Sequence, residues 1–126
     1  MLETAKALYD FYSGFGIPAY SKDNVPDKTV YPYITYTVVD GDWETPRSHY
    51  CMIYMRTRSN QELLKKADEI KNAIGLGLRL PCEGGCLYLH YENAEIMSGA
   101  NSGTESEQDP DIRSVYINMQ LDVLHL

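Results

Sequence analysis

The segment from Val115 to Val123 is the strongest constraint on how this chain can fold. Apolar and polar side chains alternate there with a period of two, which places one set on each face of a β-strand. The apolar set is Val115, Ile117, Met119, Leu121 and Val123, and the polar set is Tyr116, Asn118, Gln120 and Asp122. A strand of this kind needs neighbouring strands and a layer over its apolar face. The pattern predicts a sheet with one face in a core and the other toward solvent or a partner.

Three other segments are also rich in β-branched and aromatic residues, which favour strands. The four predicted strands are residues 33–39, 49–57, 86–97 and 112–124. Aspartates and Gly41 separate the first two strands, which indicates a turn and an antiparallel pair.

Two segments have the periodicity of amphipathic helices. Apolar residues recur at spacings of three and four over residues 1–13. A second helix is predicted to begin at Ser59 and to end at Gly75. Ser59 and Glu62 have the spacing of a capping box, in which each side chain accepts a hydrogen bond from the other residue's backbone N–H.

The order of these elements is helix, two strands, helix, two strands. It predicts a single α+β domain over residues 1–126, with a mostly antiparallel four-stranded sheet and both helices packed on one face. Residues 17–32 contain three prolines and read as an ordered connector rather than a helix or a central strand. Residues 98–111 contain no apolar side chain larger than alanine, so we expect a mobile acidic loop there.

The excess of negative over positive charge lies entirely in the last third of the chain. Residues 1–79 carry ten basic and ten acidic side chains, whereas residues 80–126 carry one basic residue, Arg113, and eight acidic ones. A nucleic-acid binder needs a clustered cationic face, so sequence-specific nucleic-acid binding is not expected. We also expect no membrane span and no secretory signal, because no sufficiently long apolar run is present.

The cysteines do not form a recognisable framework. There are three, an odd number, which favours synthesis in a reducing cytosol. Cys82, Cys86 and His90, with Glu83, could be considered as zinc ligands. If residues 86–91 form a strand, however, Cys86 and His90 lie roughly 13 Å apart, too far for one tetrahedral ion. We therefore interpret them as ordinary reduced cysteines and expect no metal or other cofactor.

No catalytic constellation is recognisable. His49, His90 and His125 lie on different segments, and none belongs to a local catalytic signature. Asp40, Asp42 and Glu44 could bind a cation, but a solvated turn explains them more simply. The sequence therefore predicts no enzyme.

Tyrosines provide the strongest indication of a binding surface. A tyrosine has a large apolar ring with a polar tip, which suits protein–protein contacts, although cross-strand packing in a sheet is the simpler explanation. Trp43 is either a cover on the core or an interface anchor. The candidate interface residues are Tyr33, Tyr36, Trp43, Tyr50, Tyr54 and Tyr116.

Several motifs in the first half resemble those of a phage protein family. They are Phe15-Gly-Ile-Pro-Ala-Tyr20, Val25-Pro-Asp27, Tyr31-Pro-Tyr-Ile-Thr-Tyr36 and Asp42-Trp43. In these motifs the chain resembles the tail terminator proteins (tail completion, minor capsid) of long-tailed phages and prophages. The resemblance covers roughly residues 8–60 by motif, and the whole chain by length and element order.

The resemblance implies a structural role in the virion tail for a protein made in the host cytoplasm. Proteins of that family form a ring, typically a hexamer, that caps the tail tube, stops further polymerisation of the major tail protein and meets the head connector. They have no catalytic residues. Two alternatives remain: a head-closure or minor capsid joining protein, and, from another class, a small cytosolic enzyme or ligand-binding module.

The acidic loop fits such an assembly in either of two ways. Glu105, Glu107, Asp109 and Asp111 would face the lumen of the tube or a partner ring. In the lumen, these carboxylates would repel DNA phosphates and let the genome pass without binding. The hypothesis is tested by neutralising the four residues and measuring tail joining and DNA passage.

Overall fold

Six strands and two helices make up the part of the chain that the structure describes. The structure is a computed structural model, and it describes residues 4–38, 47–57, 59–82, 84–98 and 111–125. In chain order the elements are helix α1 (Thr4–Tyr12), a 3₁₀ turn (Ser13–Phe15), strands β1 (Ala19–Ser21), β2 (Tyr33–Tyr36) and β3 (Arg47–Arg56), helix α2 (Asn60–Ile74), and strands β4 (Leu78–Cys82), β5 (Gly85–Ser98) and β6 (Ile112–His125).

The strands form one mixed sheet in the order β1-β2-β3-β6-β5-β4. It is curled into a half-barrel. The β1–β2 pair is parallel and the four other pairs are antiparallel. The alternating segment noted in the sequence is β6, which lies between β3 and β5 in the middle of the sheet.

The predicted four-stranded, mostly antiparallel sheet with two helices is therefore wrong. The structure adds β1, inside the proline-rich connector, and β4, directly after α2. Three residues of β1 are too few to show a period of two. In β4, Pro81 weakens the strand signal, yet a proline is tolerated there because β4 is an edge strand.

A β-bulge at Glu92 shifts the register of β5 against β6. Tyr91 pairs with Met119 and Asn93 with Asn118, so Glu92 is an additional residue without its own partner. Before the bulge the odd-numbered residues lie opposite the buried residues of β6, and after it the even-numbered residues do. The sheet alternation of β5 cannot therefore be read as one continuous pattern.

The core lies between the helices and one face of the sheet. Helix α2 buries a stripe of four residues at helical spacing, and β6 buries the apolar set of its alternation. Complete burial of one such aliphatic side chain stabilises the fold by about 1.5–3 kcal/mol. The buried residues of α2 are Leu63, Ala67, Ile70 and Ile74.

Ser59 caps α2 as predicted, but the capping box is different. The Ser59 side chain accepts a hydrogen bond from the Gln61 backbone N–H at 3.2 Å. The Ser59 backbone N–H donates to Thr57 Oγ1 at 3.0 Å. A single N–H has one proton to donate, so Thr57, and not Glu62 as predicted, is the side chain that accepts the hydrogen bond from the Ser59 N–H.

Some predictions lie outside the described residues. They are the Asp40–Glu44 turn with Trp43, Glu83, and residues 99–110, which hold most of the predicted acidic loop. Within the described ranges, neither helix has the length and apolar character needed to cross a membrane.

Candidate interaction surface

Four of the predicted interface tyrosines lie together on the sheet face opposite the helices. Their immediate neighbours in sequence, among them Ile34, Ile53 and Ile117, are buried in the core. Because successive side chains of a strand point to opposite faces, the tyrosines project from the other side. We call this surface the tyrosine face, and it carries Tyr33, Tyr50, Tyr54 and Tyr116, each half-buried.

Ring contacts connect the tyrosines of this face in pairs. Tyr33 and Tyr54 are directly opposite each other on β2 and β3, and their rings stack at a centroid distance of 4.9 Å. Tyr50 and Tyr116, on β3 and β6, stack at 4.7 Å. Aromatic pairs of this geometry contribute about 0.5–1.5 kcal/mol beyond the area they bury. The pairs therefore hold the rings in fixed orientations.

Two more tyrosines extend the surface toward the β1 edge. The rings of Tyr20 and Tyr31 contact the Tyr33 ring at centroid distances of 6.1 and 5.4 Å. Cations lie over rings of the same surface: the Arg56 guanidinium is 5.5 Å from the centre of Tyr31. The Lys22 ammonium donates a hydrogen bond to Tyr50 Oη at 3.1 Å. The surface thus combines apolar rings with polar tips and positive charge.

The phenols of Tyr33, Tyr54 and Tyr116 are neutral at physiological pH. Burial, followed by the neighbouring phenols of Tyr31 and Tyr54, raises the pKa of Tyr33 to about 12. Burial also raises the pKa of Tyr54 and of Tyr116. All three groups therefore remain hydrogen-bond donors under the conditions in which a protein interface forms.

Tyr36 and the other predicted interface residues are not brought to this surface. Tyr36 is on the core face, only 4% exposed, and its ring stacks on Tyr12 at 4.9 Å. Trp43 and the acidic residues Glu105, Glu107 and Asp109 lie outside the described residues. Asp111 is described, and its carbonyl accepts a hydrogen bond from the Thr57 backbone N–H at 2.6 Å.

A buried polar cluster around His49 was not predicted from the sequence. His49 Nε2 is hydrogen-bonded to Tyr12 Oη at 2.8 Å, and His49 Nδ1 to Thr37 Oγ1 at 2.7 Å. The Tyr12 hydroxyl also donates to Met119 Sδ at 3.8 Å. Burial lowers the pKa of His49 to about 4, so the imidazole is neutral at pH 7. The sequence contains one indication that His49 is buried: it lies two and four residues before Cys51 and Ile53, on the same face of the strand.

This cluster has no nucleophile poised for reaction. Cys51 is completely buried, and burial raises the pKa of its thiol to about 12. Burial likewise raises the pKa of Tyr12 well above its ordinary value. An activated thiolate needs a lowered pKa and access to substrate. The arrangement therefore serves to tie α1 to the sheet.

Cys82 and Cys86 are near neighbours on the paired strands β4 and β5, whereas His90 lies farther along β5. Cys82 packs against the core, while Cys86 pairs with Pro81 on β4. His90 contacts the Tyr88 ring at a centroid distance of 4.3 Å. Among the residues that the structure describes, no three His, Cys, Asp or Glu side chains are grouped so as to hold a metal ion.

A groove of about 580 Å³ lies between α1 and the β1–β2 edge of the sheet. Tyr9 on α1 and Val38 after β2 form exposed parts of its walls, and Tyr36 forms a buried part. Its lining residues are Ala5, Lys6, Tyr9, Ala19, Tyr20, Ser21, Asp23, Asn24, Tyr36 and Val38. Tyr20 belongs to both surfaces, so the groove and the tyrosine face are continuous around the β1 edge.

Comparison with known proteins does not assign a family, since no family model and no curated protein matches the chain.

Proposed function

We propose that this protein is a non-enzymatic structural subunit of a phage or prophage tail. In this role it assembles into a ring, hexameric as is typical of tail terminators, which caps the tail tube and joins it to the head connector. Its partners are then copies of itself, the major tail protein and the head connector. The protein acts in the virion after synthesis in the host cytoplasm.

The observation that carries the proposal is the tyrosine face. Four half-buried tyrosines lie on a sheet face that neither helix covers, and cations lie beside Tyr50 and the adjoining Tyr31. Tyrosine and arginine are enriched at protein–protein interfaces because they provide large contact areas together with hydrogen-bond donors. The stacked pairs lower the entropy lost on binding, since their rings are already ordered in the free chain.

A closed ring requires that one surface of a subunit binds a different surface of the next. The tyrosine face is suited to one half of such a contact, because its tyrosines are held in place from β2 through β3 to β6. A sheet is also a rigid base for the contact, so its geometry can be repeated from subunit to subunit with little variation.

The proposal is tested first by measuring the mass of the purified protein by size exclusion with light scattering. We expect a concentration-dependent oligomer. In the double variant Y50S/Y116S, which removes one stacked pair, the dissociation constant should rise by a factor of about 30 or more, as for a hot spot worth about 2 kcal/mol. The matched control is L64S, which removes an exposed apolar side chain from α2.

A second test separates a terminator from a head-closure protein. The purified chain is added to polymerising major tail protein, and tube lengths are measured by electron microscopy. A terminator stops elongation and is found at tube ends, and Y50S/Y116S should do so less efficiently than L64S. A strictly monomeric protein that leaves tube growth unchanged contradicts the proposal.

A further inference from the structure

The groove between α1 and the β1–β2 edge has the chemistry of a site for an aromatic anchor. Tyr9, Tyr20 and Tyr36 contribute three aromatic rings to its lining, and the small side chain of Ala19 leaves space between them. Its volume of about 580 Å³ is within the range of pockets that bind compact apolar groups. Tyr36 is fixed from behind by its stacking on the buried Tyr12, so the groove is preformed.

Backbone groups at the β1 edge add polar partners beside the apolar walls. Ile34 N–H donates to the Pro18 carbonyl and Lys22 N–H to the Tyr36 carbonyl, which sets the bonding pattern of the parallel pair. In that pattern the main-chain groups of Ala19 and Ser21 point away from β2. The Ser21 carbonyl already accepts a hydrogen bond from the Asn24 N–H, which leaves the Ala19 groups and the Ser21 N–H as edge partners. An extended segment lying in the groove can therefore bond to the β1 edge while it inserts a side chain.

The described residues leave two walls of the groove partly uncovered. Tyr9 is 52% exposed and Val38 is 41% exposed, although both are large apolar side chains at the rim of one cavity. Exposed apolar patches next to a preformed cavity indicate a binding site. What covers these walls therefore comes from outside the described residues or from another molecule.

We propose that this groove receives Trp43 of a second copy of the chain. The inference rests on the proposed self-association and names the receiving site for one of its contacts. Trp43 is the only tryptophan in the sequence, and tryptophan is among the residues most enriched in binding hot spots. Residues 39–46 directly follow Val38, a wall of the groove, and eight residues span at most about 27 Å when extended.

Charge also favours this occupant. Trp43 is flanked by Asp42 and Glu44, with Asp40 nearby, and the segment 39–46 contains no basic residue. Lys6 lines the groove, while its ion pair with Asp10 is highly exposed and therefore weak. Lys6 can pair with a flanking carboxylate when Trp43 enters. Asp23, on the opposite rim, limits the number of carboxylates that one groove accepts.

The receiving site is tested with a synthetic peptide of residues 39–46 and the full chain bearing W43S. The peptide then contains the only tryptophan present, and its emission reports binding directly. We expect the emission maximum to move to shorter wavelength and quenching by acrylamide to fall as the receptor is added. Affinity should be at least tenfold weaker for the receptor W43S/Y9S/V38S. The matched control, W43S/L64S/L76S, removes two exposed apolar side chains elsewhere and should bind as W43S does.

This experiment does not require the protein to form a ring. Peptide binding that the groove substitutions weaken supports the site even if the full chain is a monomer, in which case the proposed function fails and the groove remains a receptor for this segment. An absence of peptide binding, or equal binding to both groove-altered and control receptors, overturns the inference even if the protein forms rings.

The intact chain tests whether the occupant comes from a second copy. Trp43 emission is followed over a dilution series and compared with the mass from light scattering. For docking between copies, the shift to shorter wavelength should appear only as association proceeds, and Y9S/V38S should abolish it. A shifted emission that persists unchanged in the monomer means that Trp43 occupies the groove of its own chain, and overturns the proposal.

Discussion

His49 combines almost complete burial with hydrogen bonds at both ring nitrogens. A neutral imidazole has one donor and one acceptor nitrogen, which Tyr12 and Thr37 can satisfy because each hydroxyl can donate or accept. The three residues belong to α1, the chain after β2, and β3, so one side chain links three parts of the fold. A charged imidazole would lose its hydration there without gaining a counter-charge, which is the physical cause of its lowered pKa.

The pH dependence of stability follows from that pKa. His49 binds a proton near pH 4 in the folded chain and near pH 6.5 in the unfolded chain. Between these values the unfolded state takes up the proton first, so stability is lost as pH falls from 6.5 to 4. The expected loss is about 3 kcal/mol, at about 1.4 kcal/mol per pKa unit. It is measured as the free energy of urea unfolding at each pH.

Two histidine variants separate His49 from the remaining titrating groups. H49Q should be less stable than the wild type at pH 7, but its stability should change less between pH 6.5 and 4. H90Q is the matched control, because His90 lies beside the Tyr88 ring on β5 and not in the buried cluster. Equal slopes in the wild type and H49Q would show that other groups cause the acid dependence.

At the scale of the element, the start of α2 depends on residues that precede the helix. The Thr57 hydroxyl accepts from Ser59 N–H and donates to the Ser59 carbonyl at 3.1 Å, which holds the capping residue in its extended conformation. Farther along the sequence, Arg113 on β6 donates to Asn60 Oδ1 at 2.8 Å. The first turn of α2 is thus fixed by its own cap and by a strand of the sheet.

The unexpected cap leads to a prediction about three neighbouring side chains. S59A should destabilise the protein by about 1 kcal/mol, the usual loss of an N-cap hydrogen bond. T57V should also destabilise it, since the Ser59 N–H loses its acceptor. E62A should cost little, whereas a capping box formed with Glu62 would make E62A costly and T57V mild. Urea unfolding of the three variants decides between these arrangements.

At the scale of the whole molecule, α1 lies between the two edges of the curled sheet. It contacts β1 at one edge and β4 at the other, strands that are at opposite ends of the sheet order. Leu8 and Tyr12 are the completely buried residues of this helix. Helix α1 therefore covers the open side of the half-barrel and forms one wall of the groove.

Truncating α1 in the core should loosen both edges of the sheet together. L8A is expected to lower the free energy of unfolding by about 2–5 kcal/mol, as for other buried leucines. Native-state hydrogen exchange should become faster in β1 and in β4, although the two strands are not neighbours. L76A, at a fully exposed leucine, serves as the control. Faster exchange at one edge alone would contradict a shared support.

Much of the local structure follows from the sequence because its causes are local. The alternation of β6, the helical spacing in α2 and the capping position of Ser59 each depend on residues within a few positions of one another. Tyr33, Tyr50, Tyr54 and Tyr116 could be named as surface candidates for the same reason. The sequence does not show which face of the sheet carries Tyr36, because the short strand β2 has no alternation of apolar and polar residues.

Tertiary structure decided what depends on distant partners. Strands β1 and β4 are stabilised by pairing at the sheet edges, and three or five residues with a proline nearby do not reveal that pairing. His49 acquires its role from Tyr12, which is 37 residues earlier. The groove exists only where α1 meets the β1 edge. Periodicity within a segment determines which of its sides is buried. Which elements pack against that side depends on contacts between residues far apart in the sequence, and no local pattern predicts those contacts.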